Sequence, residues 1–387
     1  MKIPTRTRLA AATIAAIAAP LATVGFAGIA QADSPQPSTF GGAEHVVFVQ
    51  TDNTAGNQVI AYDRSDNGTL TLANSYATGG LGGSLSGSVV DHLASQGSLT
   101  YDQGNHLLYA VNAGSNTVSV FSVRGDQLTL RQVVGSGGTF PVSVAVHNNV
   151  VYVLNAENGG ALQEYFSLFG HLFPVPGSNR ALGLDPSATP QFTNTPGQVA
   201  FSPDGNQLIV TTKANGNDID VFGVGFLGLL SPSPVVNSEP NTVPFGVTFD
   251  AAEHLVVAES SSTNPALGTF TLNRDGTLTP ISTVATGQAA TCWVTPAQGY
   301  LFASNAGGPS VSGFQASPAG QLTLLGKTAT DPGTVDGSAS ADGQFLYVQT
   351  GANGIVDEFH VNPGGSLTEI GTVTVPGAVA GEGIVAF

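Results

Sequence analysis

Apolar and polar residues alternate with a period of two in short runs along nearly the whole chain, and Gly, Asn, Asp and Pro separate the runs. This pattern predicts antiparallel strands joined by tight turns. The clearest unit is Val199-Ala200-Phe201, the turn Ser202-Pro203-Asp204-Gly205, then Leu208-Ile209-Val210-Thr211-Thr212. Related units run from Leu99 to Asn112 and from Ser338 to Thr350. The polar residue ending each second strand marks the repeat: Gln50, Asn112, Asn155, Thr212, Glu259, Asn305 and Thr350, spaced 43 to 62 residues apart. Seven near-equal units with several strands each predict an all-β, seven-bladed β-propeller of four-stranded antiparallel blades.

The chain ends predict how the ring closes. His45-Val46-Val47-Phe48-Val49-Gln50 matches a second strand with no first strand before it, while Gly383-Ile384-Val385-Ala386-Phe387 matches Gly197-Gln198-Val199-Ala200-Phe201. Phe387 follows Thr350 by 37 residues, and Phe249 follows Thr212 by the same 37. The C-terminal strand is therefore expected to complete the N-terminal blade, leaving no open edge. Two long intervals hold insertions, a Gly/Ser-rich one at 79–98 and a Pro/Asn-rich one at 177–195. Loops on a rigid scaffold are where function concentrates, although neutral drift explains them equally well.

Ahead of the repeat, residues 1–32 have the form of a secretory signal peptide: Lys2, Arg6 and Arg8, an apolar run from Leu9 to Ile29, and Ala30-Gln31-Ala32 before Asp33. The expected organisation is that leader, a flexible 33–43 segment, and one propeller domain over 44–387, secreted and extracellular. Without the leader's three cations the formal charge moves from −16 to −19. Nucleic acid and anionic membrane surfaces are then poor partners, no membrane is expected as a partner once the leader is removed, and a small-molecule ligand or a protein fits better. A monomer is expected. Cys292 is the only Cys, so no intrachain disulfide forms, and beside Trp293 it is expected to be a buried apolar residue rather than a nucleophile.

One ring face is expected to gather the connections into each first strand and the loops after each second strand. It would collect Asp91, His92, Asn112, Asn155, Glu157, Gln198, Lys213, Glu259, Asn305, Asp331, Asp336 and Glu382. Three uses remain open. Oxygen-rich side chains suit Ca²⁺, although no cofactor is required. Asp91 and His92 with Glu157 or Glu382 suit acid–base work on an ester. Strand-end Asn and Asp also simply satisfy turns, which the recurrence of Asn112, Asn155 and Asn305 favours. No zinc motif, phosphate-binding loop or nucleophile elbow is present.

The units at 202–210 and 112–121 resemble the repeats of lactonase-family seven-bladed propellers, which include 6-phosphogluconolactonase-like and carboxymuconate-cyclising enzymes. The resemblance spans the chain after the leader and implies a hydrolase acting on a lactone or related ester. The family's His, Arg and Glu positions are filled here by Val142, Gly197-Gln198 and Lys213. Candidate catalytic residues are then His92, Glu157, Lys213 and Glu382. Asp91, Asn112, Asn155, Gln198, Glu259, Asn305 and Asp336 are ligand-binding candidates. The alternative is a non-catalytic binding or scaffold propeller.

Overall fold

Seven antiparallel sheets follow one another along the chain in the computed structural model, which describes residues 45–387. The proposed leader and the 33–43 segment lie outside the described residues. Blade two is Leu99–Asp102, Leu107–Asn112, Thr117–Arg124 and Gln127–Gly135. Blades three to seven begin with inner strands Pro141–His147, Val199–Phe201, Pro244–Phe249, Thr291–Ala297 and Thr334–Ala339. Blade three alone carries a fifth short strand, Arg180–Ala181, paired to Ala161 and Leu162.

Blade one is closed from both ends of the chain. Ile384–Ala386 pairs with Val47–Val49 and supplies its inner strand. Val46 and Phe387 exchange backbone hydrogen bonds at 3.1 Å, and Gln50 N–H donates to Gly383 at 2.8 Å. Phe387 stacks on Tyr101 of blade two at 4.0 Å between ring centroids.

The second strand of each blade is buried on both faces, and the period of two sends alternate residues into different cores. Val47 packs toward blade seven and Phe48 toward blade two. Leu346 packs toward blade six, and its neighbour Tyr347 toward blade one. Each blade therefore shares its apolar surface with both neighbours, so the hydrophobic core is distributed around the ring.

Bulges shape both ends of the blades. In five blades the register between third and fourth strands slips just before an aromatic: Tyr62, Phe121, Phe270, Phe314 and Phe359. In blades three, five, six and seven the inner strand also bulges at its first residues, between Pro141 and Ser143, Pro244 and Val247, Thr291 and Trp293, and Thr334 and Gly337. A bulge re-aims side chains that regular pairing would bury between strands. Here it involves Val142, Phe245, Cys292 and Asp336, at the channel mouth.

Candidate functional site

The insertion at 79–98 does not stay on the surface. Its residues 91–96 cross the central channel and bond to the inner strands around it. Trp293 Nε1 of blade six donates to Ser95 O at 2.5 Å. The Gln96 side chain pairs with the Val294 backbone like an extra strand residue, donating at 3.0 Å and accepting at 3.2 Å. Gln96 N–H donates to Gly197 O, and Ser143 Oγ of blade three donates to Gln96 O at 2.7 Å. Gly246 makes room: a Cβ there would collide with Gln96 Oε1 and the Cys292 carbonyl. The channel is therefore plugged, with a separate recess on each side.

The recess on the loop-rich side is a cup of about 640 Å³. Ala94, Phe245, Cys292 and Trp293 give it an apolar lining, and Ser260, Ser261 and Thr263 add hydroxyls. Asp91 and Lys213 also border it. The opposite recess, about 870 Å³, is lined by Gln96, Gln198 and the turns of blades five to seven.

Lys213 is fully buried. Its backbone is left-handed, with φ 54°, a conformation that costs a non-glycine residue energy and is held by surrounding contacts. The ammonium uses all three donors, to Ala94 O and Phe192 O at 2.7 Å and to Thr195 Oγ1 at 3.2 Å. It also lies 5.1 Å from the centroid of the Phe245 ring. Burial pulls its pKa down to about 7, while the charge of Asp91 helps hold the proton. Asp91 in turn accepts Leu93 N–H at 2.8 Å and Ser95 N–H at 3.1 Å. Burial raises its pKa to about 6, against the pull of those donors and of Lys213.

Beside this pair, Glu382, Asp336 and Asp52 form a buried acidic group that interacts with Asp91. Burial lifts Asp52 to about 8 and Asp336 to about 7, and lifts Glu382 well above the usual carboxylate range. Ser95 Oγ lies 2.9 Å from Val142 O and 3.1 Å from Glu382 Oε2. A hydroxyl has one proton and a carbonyl can only accept. Ser95 therefore donates to Val142, and a protonated Glu382 donates to Ser95. The remaining Oε1 of Glu382, like Oε1 of Gln50 and of Gln349, is buried without a partner.

The structure thus brings Asp91, Lys213, Asp336 and Glu382 together, while Gln198 lines the opposite recess, its Oε1 accepting Val247 N–H at 2.6 Å. It leaves the other candidates apart. His92 is partly buried at the insertion's edge, with Nδ1 unpartnered and its pKa lowered by burial. Glu157 sits in a small separate recess, 3.4 Å from Gln191 Nε2. Asn112, Asn155 and Asn305 bond to neighbouring hydroxyls and carbonyls, which ties off strand ends. Glu259 is buried in blade five and raised to about 7 by burial and by Glu239. Asp331 donates its N–H to Asp357 at 2.9 Å. Among the described residues no group of three or more His, Cys, Asp or Glu is placed to hold a metal ion.

Sequence reasoning missed Ser95, Gln96 and Phe245, which have no motif around them. Cys292 is buried, 3.0 Å from Ser260 Oγ, with its thiol pushed up to about 12 by burial. A thiol is reactive only as thiolate. Iodoacetamide at pH 8 is therefore expected to label Cys292 slowly in the native protein and rapidly in denaturant. Fast native labelling would contradict this placement.

Ring, plug and cup define a propeller with a recess of small-molecule size between the insertion and blades four to six. The family model described as "Lactonase, 7-bladed beta-propeller" matches residues 84–380, and the chain belongs to that family. Solved structures resemble it in fold. A candidate 6-phosphogluconolactonase from Bacteroides uniformis is 18% identical with TM-score 0.71, over 89% of this chain and 99% of that one. A Lactobacillus plantarum protein is 19% identical with TM-score 0.69, over 87% and 98%. The periplasmic gluconolactonase of Pseudomonas aeruginosa is 15% identical with TM-score 0.66, over 88% and 98%. No curated protein matches the chain.

Proposed function

We propose that this chain is an exported lactonase-family propeller that binds a neutral, largely apolar lactone or related ester in the cup above the plug. The observation that carries this reading is the cup itself. Its volume of about 640 Å³ suits a small organic ligand, and its apolar lining is interrupted by few polar groups. The one cation bordering it, Lys213, has all three donors occupied by Ala94, Phe192 and Thr195. A phosphorylated or polycarboxylate substrate would find no free partner there. Export rests on the leader pattern of residues 1–32.

Asp91 favours a second reading, hydrolysis. A carboxylate with a pKa near 6 beside the cup is suited to general-base work near neutral pH. Water would attack the ester carbonyl and give its proton to Asp91; the ring C–O bond would break, and Asp91 would return the proton to the leaving alkoxide.

A panel of lactones of different ring size separates the two readings, using calorimetry for binding and pH-stat titration for turnover. Binding is expected to weaken at least tenfold in Phe245→Ala, roughly the effect of losing one aromatic contact surface. If the protein turns over lactone, Asp91→Asn should slow it by about 10²-fold or more. Binding without turnover keeps the first reading and removes the second. Neither binding nor turnover by folded protein across the panel overturns both.

A further inference from the structure

The turn joining the third and fourth strands differs between blades. It is polar or small in five of them: Asp66-Asn67-Gly68, Gly125-Asp126, Arg274-Asp275-Gly276, Pro318-Ala319-Gly320 and Pro363-Gly364-Gly365. In blades three and four, which are neighbours, it is apolar. Phe169-Gly170 joins Ala161–Leu168 to His171–Pro174, with Phe169 86% exposed. Phe226-Leu227-Gly228-Leu229 occupies the corresponding place in blade four, with Phe226 85% and Leu227 63% exposed. The other blades act as an internal control: the fold does not need aromatics at these turns.

The backbone adds to the cost. Phe169 and Leu227 are left-handed, with φ 53° and 59°. The Phe169-Gly170 hairpin, with positive φ at both residues, is a turn that Asn-Gly makes most cheaply. A bulky apolar residue there is both strained and exposed.

The two turns form one surface. Gly228 packs against the Val150 side chain and accepts a hydrogen bond from Tyr152 Oη at 2.8 Å. Val150 pairs across the sheet with Phe166, and Phe166 with Phe173. Phe166 and Phe173 are exposed too. The surface is flanked by cations in a strongly acidic protein. Arg131 lies beside Gly170, whereas the Arg180 guanidinium is tied into the fold, donating to Leu230 O, Gly177 O and Asn179 O at 3.1 Å and to Ser231 O at 3.3 Å. Arg131 forms no ion pair among the described residues, while the charge of Arg180 acts on Glu164.

We propose that this rim of blades three and four docks on a zwitterionic phospholipid surface, with Phe169 and Phe226 inserted among the acyl chains and Arg131 against a headgroup phosphate. Paired protruding aromatic tips with flanking Arg suit a lipid interface. The net charge, −19 without the leader, opposes self-association through this face and also opposes an anionic bilayer. A neutral headgroup layer keeps the phosphate partner without that repulsion.

The test is flotation of the chain from Asp33 onward, which contains the whole closed ring, with phosphatidylcholine vesicles. Binding is expected, and Phe169→Asn with Phe226→Ser should reduce the partition coefficient at least about tenfold. Phe169→Asn suits its turn, and an unchanged circular dichroism melt confirms that the variant folds. Arg131→Gln should weaken binding several-fold. Replacing a third of the lipid with phosphatidylglycerol should weaken it at low salt and less at high salt. Absence of binding, binding unaffected by the Phe variants, or stronger binding to the anionic vesicles would overturn the proposal. So would a wild-type dimer in sedimentation that the Phe variants abolish, because the surface would then belong to a second copy.

Discussion

Deleting residues 381–387 is expected to convert a monodisperse protein into an aggregating one. The segment holds the inner strand of blade one, and without it the inner edge of Val46–Gln50 is left unpaired. The ladder lost includes both bonds between Val46 and Phe387 and the bond from Gln50 to Gly383. Phe387 and Ile384 leave the blade one/two and blade seven/one cores respectively, along with the Phe387–Tyr101 stack. At about 1.5–3 kcal/mol for each large apolar side chain, the lost burial alone is on the order of 5 kcal/mol, a large share of ordinary domain stability. The exposed strand is apolar on both faces and now has a free edge, which invites pairing between molecules. Size-exclusion chromatography and a thermal melt measure the effect. A truncation that remains monomeric and melts at the wild-type temperature would mean that the ring holds without its closing strand.

That closure was legible in the sequence because it follows from spacing, and spacing survives without any contact being known. The Phe249 and Phe387 offsets place equivalent residues at equivalent positions, and the structure pairs both strands as inner strands. The bulges were not legible, because a slip of one residue leaves apolar alternation almost unchanged while re-aiming Phe245 and Cys292. The plug was hidden for a different reason. Gln96 and Trp293 are 197 residues apart in the chain, and nothing local indicates that a Gly/Ser-rich insertion turns inward. The candidate site was readable only as a set of polar strand ends. Burial then divides that set: Asn112, Asn155 and Asn305 satisfy neighbouring groups, while Asp91, Lys213, Asp336 and Glu382 carry titratable groups into the ring.

Those buried carboxyls predict a protein more stable at pH 5 than at pH 7, the reverse of ordinary acid lability. Asp52, Asp91 and Asp336 have folded pKa values near 8, 6 and 7, all above the usual 3.8, and Glu382 is raised well above 4.5. Because these raised groups bind protons more tightly in the folded state than in the unfolded chain, their contribution is full below about pH 4 and is lost as pH rises through their folded values. Lys213 has the opposite sign. Its pKa falls from 10.5 to about 7, so its penalty is fully present below pH 7 and is relieved only as pH rises from 7 toward 10.5. Between pH 5 and 7 the four raised carboxyls outweigh the single His92, whose burial-lowered pKa gives a slope of the opposite sign below its usual 6.5. One pKa unit corresponds to about 1.4 kcal/mol, so several such groups amount to a few kcal/mol and a Tm several degrees lower at pH 7. Glu382→Gln should flatten that slope, since an amide N–H can replace the carboxyl O–H as donor to Ser95 Oγ without ever ionising, and it should raise Tm at pH 8. Calorimetric melts of both proteins across pH 5 to 8 decide it. A wild-type Tm that climbs with pH over this range, or a Glu382→Gln profile parallel to it, would mean that the acidic group is already ionised and balanced in the folded ring.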